Sequence, residues 1–187
     1  METVRHFLGF MAGVLFIIGL VPYGRAIIKG ETKPSKTSWI IWFSIDLLAF
    51  GGMIAADTLN GQMIGVILGA GLILLLTLIY GENKWTKLDK FCLFGATVGL
   101  ALWLLFDNPL LAIIISAIIG IIGSIPTFVF AWRDPSRENK LAWTIFWLSC
   151  VCAVSAIPHL TAADIIQPVS FLLIESIMMF ILYFKKA

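Results

Sequence analysis

Seven apolar stretches take up nearly all of this 187-residue chain, leaving only short polar segments between them. They run approximately over Phe7 to Ile28, Thr37 to Ala56, Met63 to Tyr80, Leu88 to Phe106, Leu110 to Trp132, Leu141 to Pro158 and Ile165 to Phe184. An α-helix needs roughly 20 mostly apolar residues to cross a bilayer. Backbone groups left unpaired in hydrocarbon cost several kcal/mol each, so lipid-spanning chains are confined to helices or closed barrels. Hydrophobic residues make up 60% of the chain and charged ones 13%, well under the quarter or so usual in a soluble domain. These features predict an all-α membrane protein with seven transmembrane helices.

The charges sort by loop. Arg25, Lys29, Lys33 and Lys36 flank the first loop, Lys84, Lys87 and Lys90 the third, Arg133, Arg137 and Lys140 the fifth, and Lys185 and Lys186 end the chain. The second, fourth and sixth loops carry Asp57, Asp107 and Asp164 without Lys or Arg, and only Arg5 departs from the pattern. The positive-inside bias then predicts an N-terminus outside and a C-terminus in the cytoplasm, in a plasma or inner membrane. With the basic residues spread this way, the net charge of +2 implies no nucleic-acid partner. The first stretch lacks a small-x-small cleavage site, so it is expected to stay as a helix rather than leave as a signal peptide. Cys92, Cys150 and Cys152 fall within spans, and residues two apart on a helix face different ways, so neither a disulfide nor a metal site is indicated.

Gly19 to Ala49 aligns without a gap on Gly123 to Ala153. Gly19 matches Gly123, Pro22 Pro126, Lys36 Lys140, Trp39 Trp143, Ile41 Ile145 and Ala49 Ala153, with Trp42 opposite Phe146 and Phe43 opposite Trp147. The period covers four helices, which predicts two parallel triple-helix bundles, residues 1–83 and 108–187, joined by a linker helix over 84–107. Parallel repeats in transporters are related by an axis along the membrane normal, with binding sites at their interface near the midplane. The pairs Gly9 and Gly13, Gly65 and Gly69, and Gly95 and Gly99 have the small-xxx-small spacing that lets helix backbones approach. Tyr80, Trp85 and Tyr183 suit an interfacial aromatic belt.

Two acids fall well inside spans. Asp46 lies ~15 Å along its helix from Lys36, and Glu175 lies ~15 Å from Lys185, so both sit near the middle of a ~30 Å hydrocarbon layer. A charge at that depth is costly, which makes an intramembrane carboxyl a candidate for proton or ion handling; a protonated acid bonded locally for packing is the other reading. Trp39, Trp42 and Asp46 share one helix face, as do Trp143, Phe146 and Cys150. These rings suit stacking platforms for a solute, joined by Trp147; for Trp39 and Trp143, close to the basic loops, the other reading is interfacial anchors. Gln62, Gln167 and Ser170 offer hydrogen bonds toward the outer end. Pro22 and Pro126 kink their helices, either as hinges or as fixed bends. There is no HExxH, GxSxG or Walker pattern, and His6 and His159 stand alone, so no enzyme, cofactor or metal is expected.

The pattern Pro22-Tyr23 through Lys29, Lys33, Ser35 and Ser38, and its second copy Pro126-Thr127 through Arg133, Ser136 and Lys140, resembles the repeat motif of the SWEET and PQ-loop superfamily. Neither proline is followed by the Gln that names the PQ loop, and the proline usual in the second helix of each SWEET half is absent after Trp39. The resemblance implies three-plus-one-plus-three architecture and alternating-access transport of a small polar, sugar-like solute. The proton-linked amino-acid exporters of that superfamily use membrane-embedded aspartates, which implies a similar part for Asp46. The PnuC vitamin transporters share the layout, so a nucleoside or vitamin facilitator is an alternative. Others are a channel and a receptor similar to the KDEL receptor, and a homo-oligomer is compatible with any of them. The orientation is checked by fusions in a bacterial host: a fluorescent protein after Lys185 is expected to glow, and alkaline phosphatase after Asp57 to be active. The reverse pattern would invert the topology.

Overall fold

The computed structural model describes residues 2–34, 36–82 and 87–185. Ser35, Lys84, Trp85 and Lys186 lie outside the described residues, as do the side chains of Cys92, Pro126 and Arg137. Among the described residues the helices are α1 (Glu2–Ile28), α2 (Lys36–Ala55), α3 (Gly61–Tyr80), α4 (Lys87–Phe106), α5 (Pro109–Arg133), α6 (Lys140–Ser155) and α7 (Ala162–Phe184), with a 3-10 turn at Pro135–Arg137. Five of them, α1, α2, α3, α5 and α7, are long and apolar enough to cross a membrane. The other two fall short of the seven full-length spans expected. The apolar part of α4 is Leu93–Phe106, because charged residues occupy its first turn, and α6 has 16 residues, a rise of ~24 Å. Its helix stops at Ser155, ahead of Pro158, where Ile157-Pro158 leaves the helical path.

Local chemistry sets the ends. Asn60 Oδ1 accepts from Met63 N (2.9 Å), Asn108 Oδ1 from Leu110 N (3.1 Å), Asn139 Oδ1 from Ala142 N (3.0 Å) and Thr161 Oγ1 from Asp164 N (3.2 Å). Each satisfies a donor that the first helical turn leaves free. At the end of α2, Asp57 takes a left-handed conformation (φ 55°) and Thr58 N reaches back to Met53 O (2.9 Å). Gly30 (φ 73°) does the same after α1, where Glu31 N donates to Ala26 O (2.9 Å). These six-to-one closures turn the chain sharply.

The helix faces then sort. Leu68, Leu72, Leu75 and Ile79 project from one exposed face of α3, and Phe7, Phe10, Ile17 and Val21 from α1. Apolar surface of this extent on several long helices marks an integral membrane protein. Lys140 lies over the Tyr183 ring (5.6 Å) and Lys185 over Trp132 (5.4 Å) at the basic-loop end.

Inside, α1 packs on α3 and α6, α2 on α3 and α5, and α7 on α5 and α6, while α4 lies against α5 and α2. Lipid tails are as apolar as the helices, so association depends on close packing and buried polar contacts. Glycine supplies the first. A Cβ on Gly13 would fall on the carbonyl of Gly61, and one on Gly65 would lie 2.6 Å from Gly13 O. Gly52 lets α2 meet α5 at Ala112 and Pro109, and Gly95 and Gly99 seat α4 against Ile119 and Ile115. Gly69 instead accommodates the Leu20 side chain. Gly13→Ala and Gly65→Ala are therefore expected to cost about 1–3 kcal/mol through backbone overlap, read as a lower melting temperature in detergent. Gly71→Ala, whose new Cβ would meet Phe43 at an ordinary 3.4 Å, is expected to be neutral or stabilising. Equal effects at all three would remove the close-approach explanation.

Candidate functional site

Between these helices lies a cavity of about 820 Å³, inside the ~300–1,000 Å³ usual for small-molecule sites. Trp39, Trp42 and Asp46 of α2 line it, as do Trp143 and Phe146 of α6 and Glu175 of α7. Helical geometry accounts for this convergence. Trp39, Trp42 and Asp46 follow i, i+3, i+7 spacing, and Trp143 and Phe146 follow i, i+3.

The rings form two arcs. Trp39 meets Trp42 edge-on at 5.5 Å between centroids, with Tyr23 of α1 5.8 Å from Trp39. Trp143 meets Phe146 edge-on at 6.2 Å, with Phe16 of α1 4.9 Å from Phe146. Tyr23 and Phe16 also line the cavity. Nothing in their sequence spacing singles them out, since Tyr23 aligns with Thr127 and Phe16 lies outside the aligned segment.

The cavity runs to the basic-loop end, where Gly30 to Pro34, Glu82, Arg133, Asp134 and Glu138 complete its lining. A backbone clasp holds the first loop there: Lys36 N donates to Glu82 O and Glu82 N to Pro34 O, each at 3.0 Å. Glu138 is a third residue that sequence reasoning did not single out. Its Oε2 accepts from Trp143 Nε1 (2.9 Å), which ties the start of α6 to the preceding loop and orients the indole. An acid a few residues before a tryptophan-bearing helix is the available signal.

At the opposite end, polar side chains close the bundle. Gln62 Nε2 donates to Ser149 Oγ and Cys150 Sγ, each at 3.1 Å, and Ser149 Oγ donates to Ala12 O at 2.7 Å. Asn60 Nδ2 donates to Gln167 Oε1 (2.8 Å), Gln167 Nε2 to Gln62 Oε1 (3.3 Å), and Ser170 Oγ to Gln167 O (2.9 Å). The network links α1, α3, α6 and α7. Between it and the cavity lies a void of about 10 Å³ bordered by Asp46, Ser116, Gln167 and Ser170, close to the space one water needs. Asp46 thus borders both spaces.

Several expected residues stand apart from the cavity. Trp147, one position round the helix from Phe146, turns away and donates to Ser176 Oγ at 3.0 Å. Gln167 belongs to the closing network, and Cys150, on the Trp143 face, is held there by Gln62. Pro22 lies within an unbroken α1 and Pro126 within α5; their neighbours Tyr23 and Thr127 reach the lining. No protein-family model, curated protein or solved structure matches this chain.

Burial raises the Glu138 carboxyl above the ordinary carboxylate range, and the Trp143 N–H, which favours the ionised form, offsets this only in part. A raised carboxyl contributes stability that is complete below its unfolded pKa and declines as pH rises through the folded one. Glu138→Gln keeps an acceptor for Trp143 without that titration. The melting temperature of the variant relative to the natural protein is therefore expected to climb from about pH 4 to about pH 8. A constant gap across that range would show that the carboxyl is not perturbed.

Proposed function

We propose that this chain is an alternating-access membrane transporter for a small polar solute, with its central cavity open toward the basic loops. The proposed layout is that of the SWEET and PQ-loop superfamily: seven crossings, with α1 to α3 and α5 to α7 as two parallel bundles and α4 as the linker. One observation carries the reading. A cavity of small-molecule size brings both mid-membrane acids and four of the aligned aromatic side chains to one place.

The pattern of helix contacts supports a duplicated bundle. Exchanging α1, α2 and α3 for α5, α6 and α7 turns the α1–α3 contact into α5–α7, α2–α3 into α6–α7, and α1–α6 into α5–α2, and all six contacts occur. The two ends of the cavity differ in the way a carrier requires, with loops around one end and the Gln62–Gln167 network across the other. Opening the second end means breaking side-chain hydrogen bonds between α3 on one side and α6 and α7 on the other. Such bonds are worth about 0.6 kcal/mol on average within membranes, which suits a gate that must yield. Pro22 and Pro126 are the proposed hinges. Asp46 and Glu175 are the proposed proton-handling groups, and the small void beyond Asp46, which Ser116, Gln167 and Ser170 also border, is the proposed route away from the cavity.

Solute uptake into proteoliposomes under an imposed pH gradient tests the reading. Uptake is expected to follow the gradient in the natural protein, and Asp46→Asn with Glu175→Gln is expected to lower the gradient-driven part at least ten-fold, about 1.4 kcal/mol. Transport unchanged in the double variant would overturn the proton role. Tight binding with no flux of any solute would overturn transport itself.

A further inference from the structure

The charge and hydrogen-bonding inventory of the cavity narrows the solute class. Asp46 and Glu175 are the charged groups of its deeper part, and among the described residues no Lys, Arg or His lines that part with them. The basic lining residues, Lys33 and Arg133, stand at the mouth, where Glu31, Glu82, Asp134 and Glu138 outnumber them. Lys29 pairs with Glu31 at the exposed surface (3.8 Å), and neither deep acid has such a partner among the described residues. Glu175 Oε2 is buried with no hydrogen-bond partner. A carboxylate at membrane depth needs a proton or a counter-charge to offset lost hydration.

The rest of the lining suits a cation better than a sugar. Sugar hydroxyls are met by neutral groups that both donate and accept, yet the described lining contains no Asn or Gln. Its hydroxyls are those of Tyr23, Thr32, Ser38, Ser124 and Thr127; Thr32 and Ser38 stand toward the loop end, and Ser124 already donates to Gly120 O at 2.7 Å. Aromatic faces attract cations by about 0.5–2 kcal/mol each, and both ring arcs border the same space as the acids. A bare divalent ion would want a shell of six or more oxygens, where these walls present rings.

We propose that the cavity binds a small organic monocation, its ammonium or guanidinium group between Asp46 and Glu175 and its apolar part against Trp39, Trp42, Trp143 and Phe146. The proposal rests on the transporter reading for passage across the membrane but not for binding.

Quenching of tryptophan fluorescence in the purified full chain tests it, using charged probes and their neutral look-alikes: choline against dimethylbutanol, and benzylamine against benzyl alcohol, with glucose as a sugar. Each cation is expected to bind at least ten-fold more tightly than its neutral partner, about 1.4 kcal/mol. Asp46→Asn with Glu175→Gln is expected to abolish that preference, bringing each cation down to the affinity of its neutral partner, and a cooperative melting transition in detergent reports that the variant is folded. Equal affinity within each pair, preference for glucose, or no binding by any probe overturns the proposal. A cation preference that survives in a folded double variant overturns it too. Cations that bind without crossing proteoliposomes leave the proposal standing and defeat transport, whereas flux of a neutral solute without cation preference does the reverse.

Discussion

Backbone amides have no water to turn to in hydrocarbon, and from that constraint the rest of this structure follows. It forces the chain into helices and also removes the usual reason for helices to associate, because burying leucine against leucine gains little over burying it in lipid. Cohesion must come from backbone approach and polar contact. The molecule uses both at one end, where Gly13 meets Gly61 and Gly65 while Gln62 and Gln167 bond across helices.

The other end is built from the opposite materials. Tyr23, Trp39, Trp143 and Phe146 are too large to let backbones approach as glycines do, so the helices they belong to stand apart and enclose a cavity. Small residues toward one end and rings toward the other make the bundle tight at the first and open at the second. The two acids sit where these regions meet. Asp46 borders both the cavity and the small void, and Glu175 borders the cavity alone.

Much of the site was legible because helix geometry is local. The spacing of Trp39, Trp42 and Asp46 predicts a shared face, and all three line the cavity; Trp143 and Phe146 behave alike. The same logic was less informative for Trp147, whose single step of rotation carries it to Ser176. It also could not separate Cys150 from Trp143, since a helix face extends along its length and only the neighbours decide which part meets a cavity. Helix length was the weakest inference. The apolar run through Pro158 suggests a full span, but the helix closes at Ser155. Glu138 and Tyr23 escaped notice because their importance lies in a partner rather than in a pattern: Glu138 in the indole of Trp143, Tyr23 in the ring of Trp39.

The sequence by itself determined where helices form and how they are capped, because these depend on residues within a turn or two of each other. Which faces meet was decided by tertiary structure alone. Gln62 finds Ser149 from 87 positions away and Asn60 finds Gln167 from 107. Contacts at such separations depend on how side-chain shapes fit once the helices are side by side. The cavity is what remains where they do not.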